Sequence, residues 1–324
     1  MALGLIGGVL AAVHHAEAVA HRVGEPFGTL VLAVSVTAIE VALIVSLMLA
    51  GGPDAATLAR DTVFAAVMII LNGIVGLCLI VGGARFREQK FGLFGVSASL
   101  ATLAAIVVLT LVLPNHTTSH AGPVYTPSQL AFVALVSAGL YGVFVMVQSV
   151  RHRDYFLSPA TEGRGEVHAY PPTNGATALS AVLLLACLGA VALLAKALAP
   201  SIEAAVTSAG APKALVGIII AGVVLLPEGM AAVRAARANR LQTSLNLALG
   251  SALASIGLTI PAVAAVSIYT GLQLSLGIDQ KATVLLLLSL FVTGQSLGTG
   301  RTTVLQGAVL LVLFATYLFT TIVP

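Results

Sequence analysis

Two carboxylates stand where an apolar chain has least reason to carry them. Glu40 occupies the middle of the apolar run 28–50, one turn after Thr37, with no other charge between Gly28 and Ala50. Glu228 sits in a second run, 214–236, within Leu225-Leu226-Pro227-Glu228-Gly229. An ionisable group at such depth marks an ion path, a proton relay or a ligand site. Pro227 has no N–H to give to the Val223 carbonyl, and Gly229 tolerates unwound backbone. The helix is therefore expected to break here, gathering the free carbonyl oxygens of Val223 and Val224 beside the Glu228 carboxylate. Such an oxygen cluster suits a hard cation.

The runs that follow each Glu supply most of the remaining polarity. One holds Asn72; the other holds Ser244, Ser251, Ser255 and Thr259, whose spacings of seven, four and four place them on one helical face. Thr37, Asn72, Ser251, Ser255 and Thr259 are thus candidate supporting ligands, although hydroxyl stripes also serve close helix packing. Near the N-terminus His14, Glu17 and His21 share a face, with His15 beside them. The spacing is not HExxH. That face could relay protons, hold a metal as an intramembrane hydrolase would, or face water at a span end.

The elements that position these residues must be membrane helices. The 324 residues include 15 Lys or Arg and 12 Asp or Glu, and 58% are apolar, too few charges for a water-facing surface. Trp is absent, so Lys and Arg must anchor the spans at the interface, and the pI near 9.0 reflects membrane orientation rather than nucleic-acid binding. Cys78 and Cys187 lie in apolar runs with neither disulfide nor metal spacing. The apolar start, Met1 to Val13, follows no Lys or Arg and is shorter than a span, so it reads as the remainder of a longer first helix.

Ten spans are predicted: 2–21, 28–50, 61–83, 91–113, 128–150, 177–199, 214–236, 242–270, 282–298 and 302–323. Odd-numbered loops hold eleven of the fifteen Lys and Arg residues, among them Arg85, Arg87, Lys90, Arg234, Arg237 and Arg301; even-numbered loops hold Arg60, Lys196, Lys213 and Lys281. Positive charge stays cytoplasmic, so both termini are expected outside the cytoplasm. The longest polar stretch divides the chain into a first repeat, 1–150, a cytoplasmic linker, 151–176, and a second repeat, 177–324. Asp61-Thr62 precedes Gly76-Leu77 by thirteen residues, and Gln242-Thr243 precedes Gly257-Leu258 by the same interval. Five spans per half make the second repeat enter inverted. The expected fold is an all-α integral membrane protein of about ten transmembrane helices in two inverted five-helix repeats.

With these residues in view, the chain resembles the calcium/cation antiporter superfamily, in particular its bacterial calcium/proton exchanger branch, over nearly its whole length. The resemblance is carried by His15-Ala16-Glu17 through Ala20-His21-Arg22, Gly24-Glu25-Pro26, Thr37-Ala38-Ile39-Glu40-Val41, Leu226-Pro227-Glu228-Gly229, Gly250 to Ser255, and Thr299-Gly300-Arg301-Thr302. It implies that Glu40 and Glu228 bind the transported ion, in ten core helices of a bacterial inner membrane protein. The superfamily usually has Gly-Asn shortly before each Glu; here Val36-Thr37 and Val224-Leu225 stand there.

Two carboxylates can be neutralised by one divalent cation or by two protons, and competition for one site gives exchange. Calcium is the cargo this pair suits first, while sodium or potassium would accept similar ligands. No cofactor is implied beyond the transported cation and protons, and no partner beyond the bilayer. A cation channel and an intramembrane metal hydrolase are the rival functions.

Overall fold

The computed structural model describes residues 2–24, 27–51, 56–157, 172–208, 210, 212 and 214–323. Glu25, Pro26, Lys213 and residues 158–171 of the expected linker lie outside them. The described chain forms ten long helical segments: α1 Ala2–Val23, α2 Phe27–Gly51, α3 Leu58–Phe86, α4 Leu93–His116, α5 Pro127–Arg151, α6 Asn174–Ser208, α7 Ala214–Arg237, α8 Leu241–Thr270, α9 Gln280–Leu297 and α10 Val304–Ile322. Eight of them contain stretches long and apolar enough to cross a membrane, and α2 contributes a shorter apolar stretch, Ala33–Leu49. With no water in the hydrocarbon layer, a helix is the form in which such a run satisfies its own backbone.

Caps fix where several helices begin and end. Asp279 accepts the Ala282 N–H at the start of α9, and Gly271, at φ 73°, closes α8 in a left-handed conformation. The last helices of the two halves open alike: Thr126 and Gln129 form a capping box before α5, and Thr303 and Gln306 form another before α10.

The halves are interlocked with inverted equivalence. α1 packs on α6; α2 packs on α8, and its counterpart α7 packs on α3. The Gly76 and Gly257 echo has a packing cause. A Cβ on Gly76 would stand 3.1 Å from Leu310 of α10, and one on Gly257 would stand 2.7 Å from Tyr141 of α5. Each glycine admits the last helix of the opposite half. α3 and α8 are accordingly central, with 78% and 61% of their apolar windows buried against 11% for α6.

The loops gather at two ends. At one end a short antiparallel pairing joins Gln89–Lys90 (β1) to Arg301–Thr302 (β2), the Gly92 N–H donates to Gln242 Oε1 at 2.6 Å, and Asn246 Nδ2 donates to the Phe156 carbonyl. At the other end Ile278 N–H donates to the Leu111 carbonyl at 2.9 Å, and Arg60 Nη1 donates to the Gly277 carbonyl at 2.9 Å. Among the described residues, loops 3, 5, 7 and 9 thus meet at one end of the molecule and loops 2, 4 and 8 at the other.

Apolar packing forms two main clusters. The larger is built on α3, α4, α5, α8, α9 and α10. The second joins α1 and α6 to one side of α2 and α7. α2 belongs to both, through Val36, Ile39 and Leu43 on one side and Ile44 and Met48 on the other. α7 does likewise, with Val216, Ile220 and Val224 facing one cluster and Ala221 and Leu225 the other.

Candidate functional site

Glu40 and Glu228 lie on the two helices that straddle this seam. Glu40 is 3% exposed, and Ser255 of α8, itself buried, donates to its Oε1 at 2.6 Å. Thr37, one turn earlier on α2, is also buried. Glu228 lies on α7, which packs against both α1 and α2, and its Oε2 is enclosed without a hydrogen-bond partner. Among the described residues, neither carboxylate is paired with a Lys or Arg. An enclosed carboxylate oxygen without a donor or a cation is costly, so the arrangement has room for a charge it does not itself contain.

The repeat does not make the two carboxylates chemically equal. In the register set by Thr62 and Thr243, position 255 corresponds to position 74, and there the first half carries Ile. A Cβ on Gly229, next to Glu228, would stand 3.3 Å from Ile74 Cδ1. α8 thus offers Glu40 a hydroxyl, whereas α3 offers the Glu228 turn a methyl group.

The expected break at Pro227 is not there. α7 runs unbroken from Ala214 to Arg237 with Pro227 inside it. Proline still withholds its N–H from the Val223 carbonyl, but the surrounding helices hold the backbone in register, as they do for many prolines in membrane helices. Val224 is different, because a continuous helix gives its carbonyl the Glu228 N–H four residues on. Irregular backbone appears instead in α3, where Ile69–Ile74 form a π-helical segment around Asn72. Such segments recur at functional sites because they disturb the regular ladder. In the sequence the only trace is the Asn72-Gly73 pair inside an apolar run.

Asn72 is fully buried. Its Nδ2 donates to Ser289 Oγ of α9 at 2.9 Å, and its Oδ1 has no partner. The hydroxyl stripe of α8 splits. Ser255 reaches Glu40; Thr259 is fully buried with its Oγ1 unpartnered; Ser251 is half-buried. Ser244, eleven residues before Ser255 and hence about 16 Å away along the axis, lies beside Cys78. Ser289 and Thr293, both fully buried on α9, were not singled out from the sequence. Hydroxyls in an apolar run do not announce whether they pack or bind.

His14, Glu17 and His21 are exposed on α1, whereas Ala12, Val13 and Ala16 are buried. His15 Nδ1 is enclosed without a partner. Among the described residues no three His, Cys, Asp or Glu side chains converge to hold a metal.

Inverted five-helix repeats meeting at two enclosed carboxylates define an integral-membrane exchanger of cations. The chain belongs to the sodium/calcium exchanger protein family, whose model matches residues 1–150 and 179–323. It is 53% identical over 330 residues to the ionic-transporter homologue y4hA of Sinorhizobium fredii (strain NBRC 101917 / NGR234), covering 100% of this chain and 88% of that one. It is 37% identical over 320 residues to the sodium-potassium/proton antiporter ChaA of Escherichia coli (strain K12), covering 98% and 86%. The crystal structure of the H+/Ca2+ exchanger CAX shares the fold with a TM-score of 0.73 at 18% identity, over 98% of this chain and 79% of that one. The protein is a transporter and not an enzyme, which removes the hydrolase reading of the α1 histidines.

Proposed function

We propose that the protein exchanges a cation for protons at Glu40 and Glu228, with calcium as the cargo. The observation that carries this reading is the pair itself: the buried Glu40 and the half-buried Glu228, whose Oε2 is enclosed, on repeat-equivalent helices that pack together, with no Lys or Arg paired to either among the described residues. One divalent ion or two protons would neutralise both. Calcium takes roughly six to eight oxygens, and Thr37, Ser255, Thr259, Asn72, the Val223 carbonyl and water would complete what the carboxylates begin. A second reading, sodium or potassium in place of calcium, is favoured by the 37% identity to ChaA.

Access would alternate by a shift of α1 and α6, with their own apolar cluster, against the larger cluster across the seam that holds both Glu residues. The end bearing odd-numbered loops faces the cytoplasm of a bacterial inner membrane in this proposal, because most Lys and Arg lie there.

The test is cation-driven proton flux in proteoliposomes, read with an internal pH dye under calcium, sodium or potassium gradients. Glu40→Gln and Glu228→Gln each abolish flux, since Gln preserves volume and hydrogen bonding but not the charge that alternates between proton and cation. Wild-type flux in either variant would remove that carboxylate from the site. Apparent calcium affinity should fall about a hundredfold per pH unit if two protons compete and about tenfold if one does. Flux with sodium or potassium but none with calcium would select the second reading.

A further inference from the structure

We infer that the ribbon joining the α3–α4 loop to the α9–α10 loop is a binding site for an anionic phospholipid, whose phosphate is held between Lys90 and Arg301. The site is separate from the two carboxylates and does not depend on which cation they carry.

The reason lies first in the register of the ribbon. Lys90 stands directly opposite Arg301 in the antiparallel pairing of β1 and β2, and Gln89 stands opposite Thr302. Gln89 and Thr302 are buried, so the alternation of the strands turns both cations to the exposed face. Side chains directly opposed across such a pair have Cβ atoms about 4.5–5.5 Å apart, and like charges there weaken the pairing. Other contacts hold the strands together. The Phe91 N–H donates to the Gly300 carbonyl at 3.0 Å, and Thr299 Oγ1 donates to the Arg301 carbonyl at 2.9 Å. A Cβ on Gly83 of α3 would stand 2.8 Å from the Val304 nitrogen at the start of α10. The loops are pressed onto the helix ends, and opening the ribbon to part the cations would disrupt these contacts.

One carboxylate relieves the repulsion only in part. Glu88 Oε1 is 3.6 Å from Arg301 Nη1 with both side chains exposed, where such a pair contributes little. Among the described residues Lys90 has no acidic partner, and Arg85 and Arg87 add further exposed cations to the same loop. A phosphodiester between Lys90 and Arg301 converts the repulsion into charge-assisted contacts, with the guanidinium offering a two-pronged fork.

What carries the phosphate is set by what adjoins the ribbon. Leu305, Val309 and Val312 of α10, spaced four and three, form an exposed apolar stripe that begins four residues after Arg301. Phe94, four residues after Lys90 at the start of α4, is 72% exposed with its ring stacked on Tyr155. Both helices are long and apolar enough to cross the bilayer. A cationic pair with apolar surface next to it along both helices matches a molecule with an anionic head and acyl chains. A soluble anion or an acidic polypeptide would use the first feature and leave the second.

The test uses the full chain in a neutral detergent and follows its unfolding temperature as phosphatidylglycerol or phosphatidylcholine is added. Phosphatidylglycerol should raise that temperature and phosphatidylcholine should not. Lys90→Gln and Arg301→Gln should each raise the half-saturating phosphatidylglycerol fraction about fivefold, and the double variant about 25-fold. Lys90→Arg, which keeps the charge, should respond like the wild type. So should Arg237→Gln, which removes a charge at the end of α7 and separates a site from diffuse surface charge. Without lipid the double variant should unfold at an equal or higher temperature, and a lower one would remove the repulsion from which the inference starts. A double variant that responds at wild-type lipid fractions would overturn the inference. So would an equal loss in Arg237→Gln, or an equal rise from inorganic phosphate or polyglutamate.

Discussion

Replacing Ser255 with Ala removes the hydroxyl that donates to Glu40 Oε1 at 2.6 Å, between two side chains that are 2% and 3% exposed. Hydrogen bonds to charged groups contribute about 1.5–3 kcal/mol, which corresponds to between about 10-fold and about 150-fold in an equilibrium constant. Packing adds little, because only one oxygen leaves. In the proposed site the contact holds the carboxylate ready for its ligand; without it, part of the cation's binding free energy would go into ordering Glu40. The half-saturating cation concentration of Ser255→Ala should therefore rise by a factor in that range at fixed pH. Ser255→Thr, which keeps a donor, should recover most of the affinity. The assay is a cation titration of proton flux in proteoliposomes at matched protein amounts. Wild-type half-saturation in Ser255→Ala would show that the Glu40 contact plays no part in holding the cargo, and would refute the reasoning.

Two further outcomes follow from the backbone and the loops. Pro227→Ala restores the N–H that the Val223 carbonyl lacks, so the detergent-solubilised protein should unfold at an equal or higher temperature while cation affinity falls; unchanged affinity would exclude that carbonyl as a ligand. Ser119→Cys, in an even-numbered loop, should react with a membrane-impermeant maleimide added outside intact cells; labelling only after lysis would reverse the proposed orientation.

Much of the scaffold was legible because lipid is a demanding solvent. A run of about twenty apolar residues must be helical and must end where polarity returns. The third span, expected at 61–83, is Leu58–Phe86, and the eighth, expected at 242–270, is Leu241–Thr270. The sixth, expected at 177–199, continues to Ser208, because Pro200, at the expected boundary, does not stop the helix. Inversion was readable in the spacing of Gly76 and Gly257, and a second echo, the Thr126–Gln129 and Thr303–Gln306 caps, was there to be read and was missed. The sequence also shows that Pro227 lacks a donor, but not that neighbouring helices would keep α7 straight. A π-helical turn at Asn72 has almost no compositional mark. The partners of Asn72 and Glu40, more than 200 residues away in sequence, are set by which helices cross, and a run of Ser and Thr does not encode that.

An inverted repeat gives two carboxylates matched backbone settings, and in a fully symmetric site the states open to either face would be related by exchanging the halves and would have equal energy. The side chains break that equality. Glu40 is held by the Ser255 hydroxyl, while the corresponding position near Glu228 is Ile74 and leaves Oε2 without a partner. Glu17 is exposed on α1, a helix that packs on α7, so the field at Glu228 varies with where α1 stands. α1 and α6 share a cluster with only one side of α2 and α7, so a movement of that cluster changes the surroundings of both carboxylates without disturbing the Ser255 contact, which belongs to the larger body. In the proposed exchange, one carboxylate is thereby anchored to the scaffold and the other is left to respond to whichever charge, proton or cation, arrives.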